Sequence, residues 1–170
     1  MPVDVPSAPA LPDHDTFRRF FRRHPAGVAV VTLDAGAGPV GFTATSFTSV
    51  SARPPLATVA IDRGSTSWPH LRAARSAVVN LLGPGGGELA RRFATSGIDR
   101  FAPPTRWRRL PSGEPVLDDA EHWLRGSVAE LVRVGDHELA VLLVEQVEVG
   151  AAGPGLVYHD GAFAAVGRHA

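Results

Sequence analysis

Short β-favouring runs closed by glycine or proline set the strongest limit on what this chain can fold into. "GVAVVTLD" (Gly27–Asp34), "VGFTATSFTSVS" (Val40–Ser51), "PLATVAID" (Pro55–Asp62) and "SAVVNLL" (Ser76–Leu82) follow in succession. "GSVAELVRV", "HELAVLLVEQVEV", "GLVYHD" and "AFAAVG" repeat the pattern toward the C-terminus. Runs this short, divided by 18 Gly and 15 Pro, leave little room for βαβ crossovers and favour antiparallel pairing through tight turns. Helical spacing is confined to three places. Phe17, Phe20 and Phe21 share a face in "DTFRRFFRRHP", with Arg18, Arg19, Arg22 and Arg23 over the rest, as a solvated face or a basic patch. "GSTSWPHLRAAR" predicts a helix from about Ser67, with a hydroxyl N-cap and Pro69 in the first turn. "GGGELARRFATSG" predicts another, with Leu89 and Phe93 inward. The expected fold is mainly β, an antiparallel barrel closed or nearly so, with a few flanking helices. Residues 1–12, rich in Pro and Ala, are expected to be a disordered tail, and residues 13–170 one domain. Ile98 to Asp119, with Pro103, Pro104, Pro111 and Pro115, is expected to be a long ordered surface connection.

Composition then removes whole classes of chemistry. The absence of Cys excludes disulfides, thiolate nucleophiles, iron–sulfur clusters and Cys-built zinc sites. All 17 basic residues other than His are Arg, which excludes Schiff-base lysines and the P-loop lysine. A formal net charge of zero gives no global electrostatic case for nucleic acid or an anionic membrane. No apolar run is long enough to span a bilayer, and the Pro-rich start lacks a basic, then apolar, leader, so a cytoplasmic location is expected. The 7 His are scattered without metal-ligand spacing. There is no G-x-S-x-G and no evident carboxylate pair. "GAGPVG" (Gly36–Gly41) matches a dinucleotide fingerprint, with Asp62 about 20 residues on, but no helix opens at those glycines, and a hairpin turn is the economical reading. A chain with so few reagents either binds passively or lets a cofactor carry the chemistry.

The informative stretch is "GFTATSFTSVS", with six hydroxyl side chains in eleven residues. Taken as one extended segment, it places Thr43, Thr45, Ser49 and Ser51 on one face, interrupted only by Phe47. A strand that polar faces solvent or lines a polar ligand. Small hydroxyls supply donors and acceptors without bulk and leave backbone amides within reach of a planar ligand.

Here the chain resembles the short-chain flavin reductases of the FMN-binding split-barrel fold, the reductase components of two-component flavin monooxygenases. "GFTATSFTSVSARPPLATVAI" is similar to the family's signature. "AGVAVVT" precedes it, and "SAVVNLL", "ELARRFA", "GEPVLDDA", "VGDHELAV" and "GLVYHDGAF" follow in the family's order, from about Asp15 to Gly167. The resemblance implies an antiparallel Greek-key split barrel, a homodimer with flavin near its interface, FMN or FAD as flavin, and NADH or NADPH as hydride donor. It implies flavin contacts from Thr43, Ala44, Thr45, Ser46, Ser49, Val50 and Ser51, and a flavin phosphate near Ser65, Thr66 and Ser67. Hydroxyls at a helix start suit a phosphate, and they equally suit an ordinary cap. Asn80 matches an Asn beside the site. Gly135, Asp136 and His137 match a triplet tied to nicotinamide binding and hydride transfer, with His137 the catalytic candidate as a positioning group; Gly-Asp also makes an ordinary tight turn. Two departures stand out. Gly85-Gly86-Gly87 replace a stretch that often holds Gln, and Glu138-Leu139-Ala140 replace Thr-Leu-Phe, which leaves the nicotinamide pocket and nucleotide preference open. The implied function is NAD(P)H-dependent flavin reduction that supplies a partner monooxygenase. The alternatives are a non-catalytic flavin carrier, a split-barrel oxidoreductase acting on its own substrate, or an interaction module with a solvated hydroxyl strand.

Overall fold

A computed structural model describes residues 11–167. The tail expected at residues 1–12 lies outside the described residues except for Leu11 and Pro12, which precede the first helix. In chain order the elements are α1 (His14–Arg22), β1 (Ala26–Gly27), β2 (Ala29–Asp34), β3 (Pro39–Ala44), β4 (Thr48–Ala52), β5 (Pro55–Asp62), α2 (Trp68–Ala73) and β6 (Ser76–Leu81). A 3-10 turn (Pro84–Gly86) leads into α3 (Gly87–Ala94), followed by β7 (Trp107–Arg109), β8 (Pro115–Leu117), β9 (His122–Val134), β10 (His137–Val149), β11 (Gly155–His159) and β12 (Ala162–Val166).

Seven strands form one antiparallel sheet in the order β3-β2-β6-β9-β10-β5-β4. Phe42 at one end of that order and Val59 and Ile61 near the other pack in one core with Val31, Leu71, Val79 and Leu142. The sheet therefore curls around a shared interior, while no ladder joins β3 to β4 among the described residues: the barrel stays split. A second core, built on Val30, Phe93, Phe101 and Leu117, covers the outside of β2. Both faces of β2 are thus packed, so Ala29 to Leu33 are buried without a break, as a two-sided strand requires. The mainly β antiparallel class and the helices at Phe17–Phe21, Ser67 and Leu89–Phe93 are as the sequence implies. So is the hairpin at the glycine motif: β2 and β3 pair directly, with Gly36 and Gly38 at φ 94° and 103° in the turn.

Three expectations need correction. The hydroxyl-rich stretch is two strands, with Thr45 to Phe47 outside either. Ser46 causes the break: its hydroxyl accepts from Ala60 N at 2.9 Å and donates to Ala60 O at 3.1 Å, replacing a ladder rung on β5. A register shift between Ser49 and Ser51 follows, so strict two-residue alternation does not carry through the stretch. The Ile98–Asp119 connection is partly interior. It contains the β7–β8 hairpin, and Phe101, Glu114, Val116 and Leu117 are buried. Finally, Ser67 precedes α2 without capping it; its side chain is 1% exposed and turns toward β3.

Candidate functional site

A cleft of about 370 Å³ opens at one end of the barrel, where β3, the start of the Thr45–Phe47 break, the end of β5 and the start of β10 converge. Phe42, Ile61 and Phe93 give it apolar walls; Thr43, Thr45, Ser46, Ser65 and His137 give it polar groups. Its size and mixture suit one mostly apolar, planar ligand with a few polar anchors.

The hydroxyls divide by what they already hold. Thr43 donates to Ala90 O on α3 at 2.6 Å and ties β3 to the helix. Ser46 is committed to Ala60. Ser51 accepts from Arg53 N. Among the described residues Thr45 has no hydrogen-bond partner on its side chain, and it lines the cleft, so its hydroxyl is free for a ligand. Ser49, Val50 and Ser51 lie on β4 at the sheet edge, outside this cleft.

Across the cleft, His137 opens β10 opposite Asp62 at the end of β5. The Gly135–Asp136 turn that precedes it has Gly135 at φ 61°, which a glycine accommodates without strain. Arg63 N donates to Asp136 O at 3.1 Å, which ties this turn to the loop after β5. The Nδ1 of His137 lies 2.7 Å from an Asp136 carboxylate oxygen. That hydrogen bond from His137 holds the Asp136 carboxyl below its ordinary value. An ionised carboxylate only accepts, so Nδ1 is the donor in this contact and Nε2 is the ring nitrogen left without a partner on the Asp136 side.

Asn80 is elsewhere. It is fully buried in β6, donates to Val30 O and Thr32 Oγ1 at 3.0 Å each, and accepts from Leu117 N at 3.0 Å. Its amide knits β2, β6 and β8 together and has no capacity directed at the cleft. Ser65 lines this same cleft, whereas Thr66 and Ser67 line a neighbouring one of about 300 Å³.

Arg100 borders both clefts, and the sequence reading did not single it out. Its Nε donates to Thr95 O at 2.9 Å; one Nη donates to Gly41 O at 2.6 Å and to Ser67 Oγ at 2.9 Å. All three partners are neutral oxygens, and among the described residues no carboxylate pairs with it. Burial pushes the guanidinium's pKa down from its ordinary value. A half-buried cation without an anion, with its second Nη free, is built to receive one. No periodicity or motif marks it: "IDRFAPP" reads as connection, and the contact with Gly41 closes only in three dimensions.

Comparison with known proteins agrees with this architecture. The flavin reductase like domain model matches residues 21–167. The NADH:FMN oxidoreductase of Rhodococcus qingshengii is 48% identical over 171 residues, covering 94% of this chain and 88% of that protein. The crystal structure of a flavin reductase domain protein from Arthrobacter sp. FB24 superposes with a TM-score of 0.86 at 37% identity, covering 93% of this chain and 98% of that one. The flavin reductase component of a bacterial two-component tryptophan halogenase superposes with a TM-score of 0.84 at 30% identity, covering 92% and 100%. With its split barrel, its cleft beside the hydroxyl-rich strands and these matches along nearly the whole length, the chain belongs to the flavin reductase like domain family.

Proposed function

We propose that the chain is an NAD(P)H:flavin oxidoreductase whose flavin lies in the cleft between β3, β5 and His137. The observation that carries this reading is the pairing of an apolar-walled slot with an unpaired cation, Arg100, at its rim. Flavin, when bound, supplies the hydride acceptor for a reduced nicotinamide. The chain's own part is positional. Phe42, Ile61 and Phe93 exclude water from one side of the slot. Thr45 and backbone groups of the break beyond β3 offer hydrogen bonds to the ring edge. Arg100 takes the phosphate through its free Nη, with Ser65, Thr66 and Ser67 nearby. His137, held by Asp136, lines the cleft and orients the nicotinamide. A site made of positioning groups fits a reaction whose electronics belong to its two cofactors.

NADH and FMN are the proposed pair, supported by the Rhodococcus relative, whose name specifies both. The halogenase reductase supports a two-component role, in which reduced flavin leaves for a monooxygenase or similar partner. A homodimer is part of the same reading. The test is steady-state oxidation of NADH and of NADPH without flavin, with FMN and with FAD. Flavin-dependent turnover, fastest with NADH and FMN, is expected. Bound flavin without turnover would leave a carrier and overturn the enzyme.

A further inference from the structure

Arg100 can act as an anion site only if the loop bearing it holds one shape, and that loop has no regular structure from Ser96 to Arg106. A second arginine grips it. Arg92, in the last turn of α3, donates from Nε to Arg100 O at 3.1 Å and from one Nη to Asp99 O at 2.9 Å and Ala102 O at 3.0 Å. Three carbonyls around a single residue are thus fixed by one planar fork, which a point-charged ammonium cannot imitate. Asp99 completes the loop from within, accepting from Phe101 N at 2.9 Å and Ala102 N at 3.2 Å. Phe101 anchors it below, edge-on to Phe93.

We infer that Arg92 is a positioning residue for anion recognition: it sets the backbone of Asp99–Ala102 so that the Arg100 guanidinium stands between the two clefts and meets the phosphate of the flavin. The inference rests on the reading of the cleft as a flavin site. Arg92 does not touch the ligand. Three of its N–H groups hold carbonyls that would otherwise point their dipoles without restraint, and its effect reaches the ligand through Arg100 alone. Riboflavin, which shares the ring and ribityl chain of FMN but lacks the phosphate, separates that effect from general loosening of the site.

The experiment is a double-mutant cycle on the full chain, with dissociation constants for FMN and riboflavin read from flavin fluorescence and Tm recorded for each variant. Arg100→Met is expected to weaken FMN by at least about tenfold, the loss of a hydrogen bond to a charged group, and to leave riboflavin unchanged. Arg92→Met is expected to do the same, with kcat at saturating FMN unchanged. The double variant is expected to be no weaker than Arg100→Met alone, because the two act as one unit. Arg92→Lys keeps the charge and loses the fork; it is expected to behave like Arg92→Met, and it carries the test if Arg92→Met does not fold. Equal loss of FMN and riboflavin, additive losses in the double variant, or wild-type affinity in Arg92→Lys would each overturn the inference. If Arg100→Met itself leaves FMN and riboflavin affinities unchanged, the phosphate assignment fails, which is a failure of the underlying reading and is visible without any Arg92 variant.

Discussion

The hydroxyls of "TATSFTS" illustrate how one residue type serves two purposes a few ångströms apart. Ser46 closes a rung on β5, and Thr43 ties β3 to α3; both are structural bonds. Thr45 has a free hydroxyl in the cleft. Substituting Thr45 by Val, nearly isosteric, should weaken flavin by about 1 kcal/mol, the ordinary worth of a neutral hydrogen bond, and leave Tm close to wild type. Unchanged affinity in a fluorescence titration would remove Thr45 from the site. Asn80 should behave in the opposite way. Asn80→Leu would orphan Leu117 N and free Val30 O and Thr32 Oγ1 in a dry core, costing roughly 2–4 kcal/mol by denaturant unfolding, with flavin affinity intact in the folded fraction. An Asn within a Val-rich run reads equally as a ligand or as a satisfied core amide; only its three buried partners decide.

At the scale of elements, much was legible because glycine, proline and period-two runs are local signals. The β2–β3 hairpin, the Gly135 turn and all the C-terminal strands follow from them. What was not legible depends on pairs far apart in sequence. Ser46 meets β5 fourteen residues on, and Arg100 meets Gly41 across fifty-nine. The buried carboxylate of Glu114 is another such case, hidden in a Pro-rich connection. It accepts from Ser112, from Ser76 on β6 and from Arg125 on β9, and Arg125 is held in turn by Glu145 on β10. Burial works against its ionisation, but the hydrogen bonds from Ser112 and Ser76 and the Arg125 charge outweigh it and hold its pKa below the ordinary carboxylate value. With the folded pKa depressed, this stability is present above the unfolded pKa and is lost as pH falls through the folded one. Glu114→Gln should cost about 3 kcal/mol near neutral pH, and the variant's Tm should fall less than wild type's on acidification below the ordinary Glu range. A parallel fall in both proteins would show that Glu114 carries none of the acid sensitivity.

For the whole molecule, a densely packed interior stands against a surface that leaves apolar groups uncovered. Phe17, Phe20 and Phe21 on α1 are 56%, 71% and 51% exposed, and α1 buries none of its residues. Its attachment to the barrel is polar, through Arg22 and the following Arg23 to Asp160 beyond β11. Val132, Val134, Val147 and Val149 are exposed on the long β9–β10 hairpin, and Val50 on the edge strand β4. With formal net charge zero, repulsion between copies is weak, and apolar area is free to drive association. The homodimer implied by the family resemblance would cover such surface. If that dimer forms by apolar burial, sedimentation equilibrium should return twice the chain mass of 17.9 kDa with little dependence on salt. Phe20→Asp tests the role of α1 separately. If the helix lies in the interface, the variant should shift toward monomer and lose flavin affinity along with it, since α1 flanks the groove that includes Thr45 and Ser46. A dimer unaffected by Phe20→Asp would move the contact to the β9–β10 hairpin, and a monomeric wild type would remove the dimer from the proposed function while leaving the cleft as it stands.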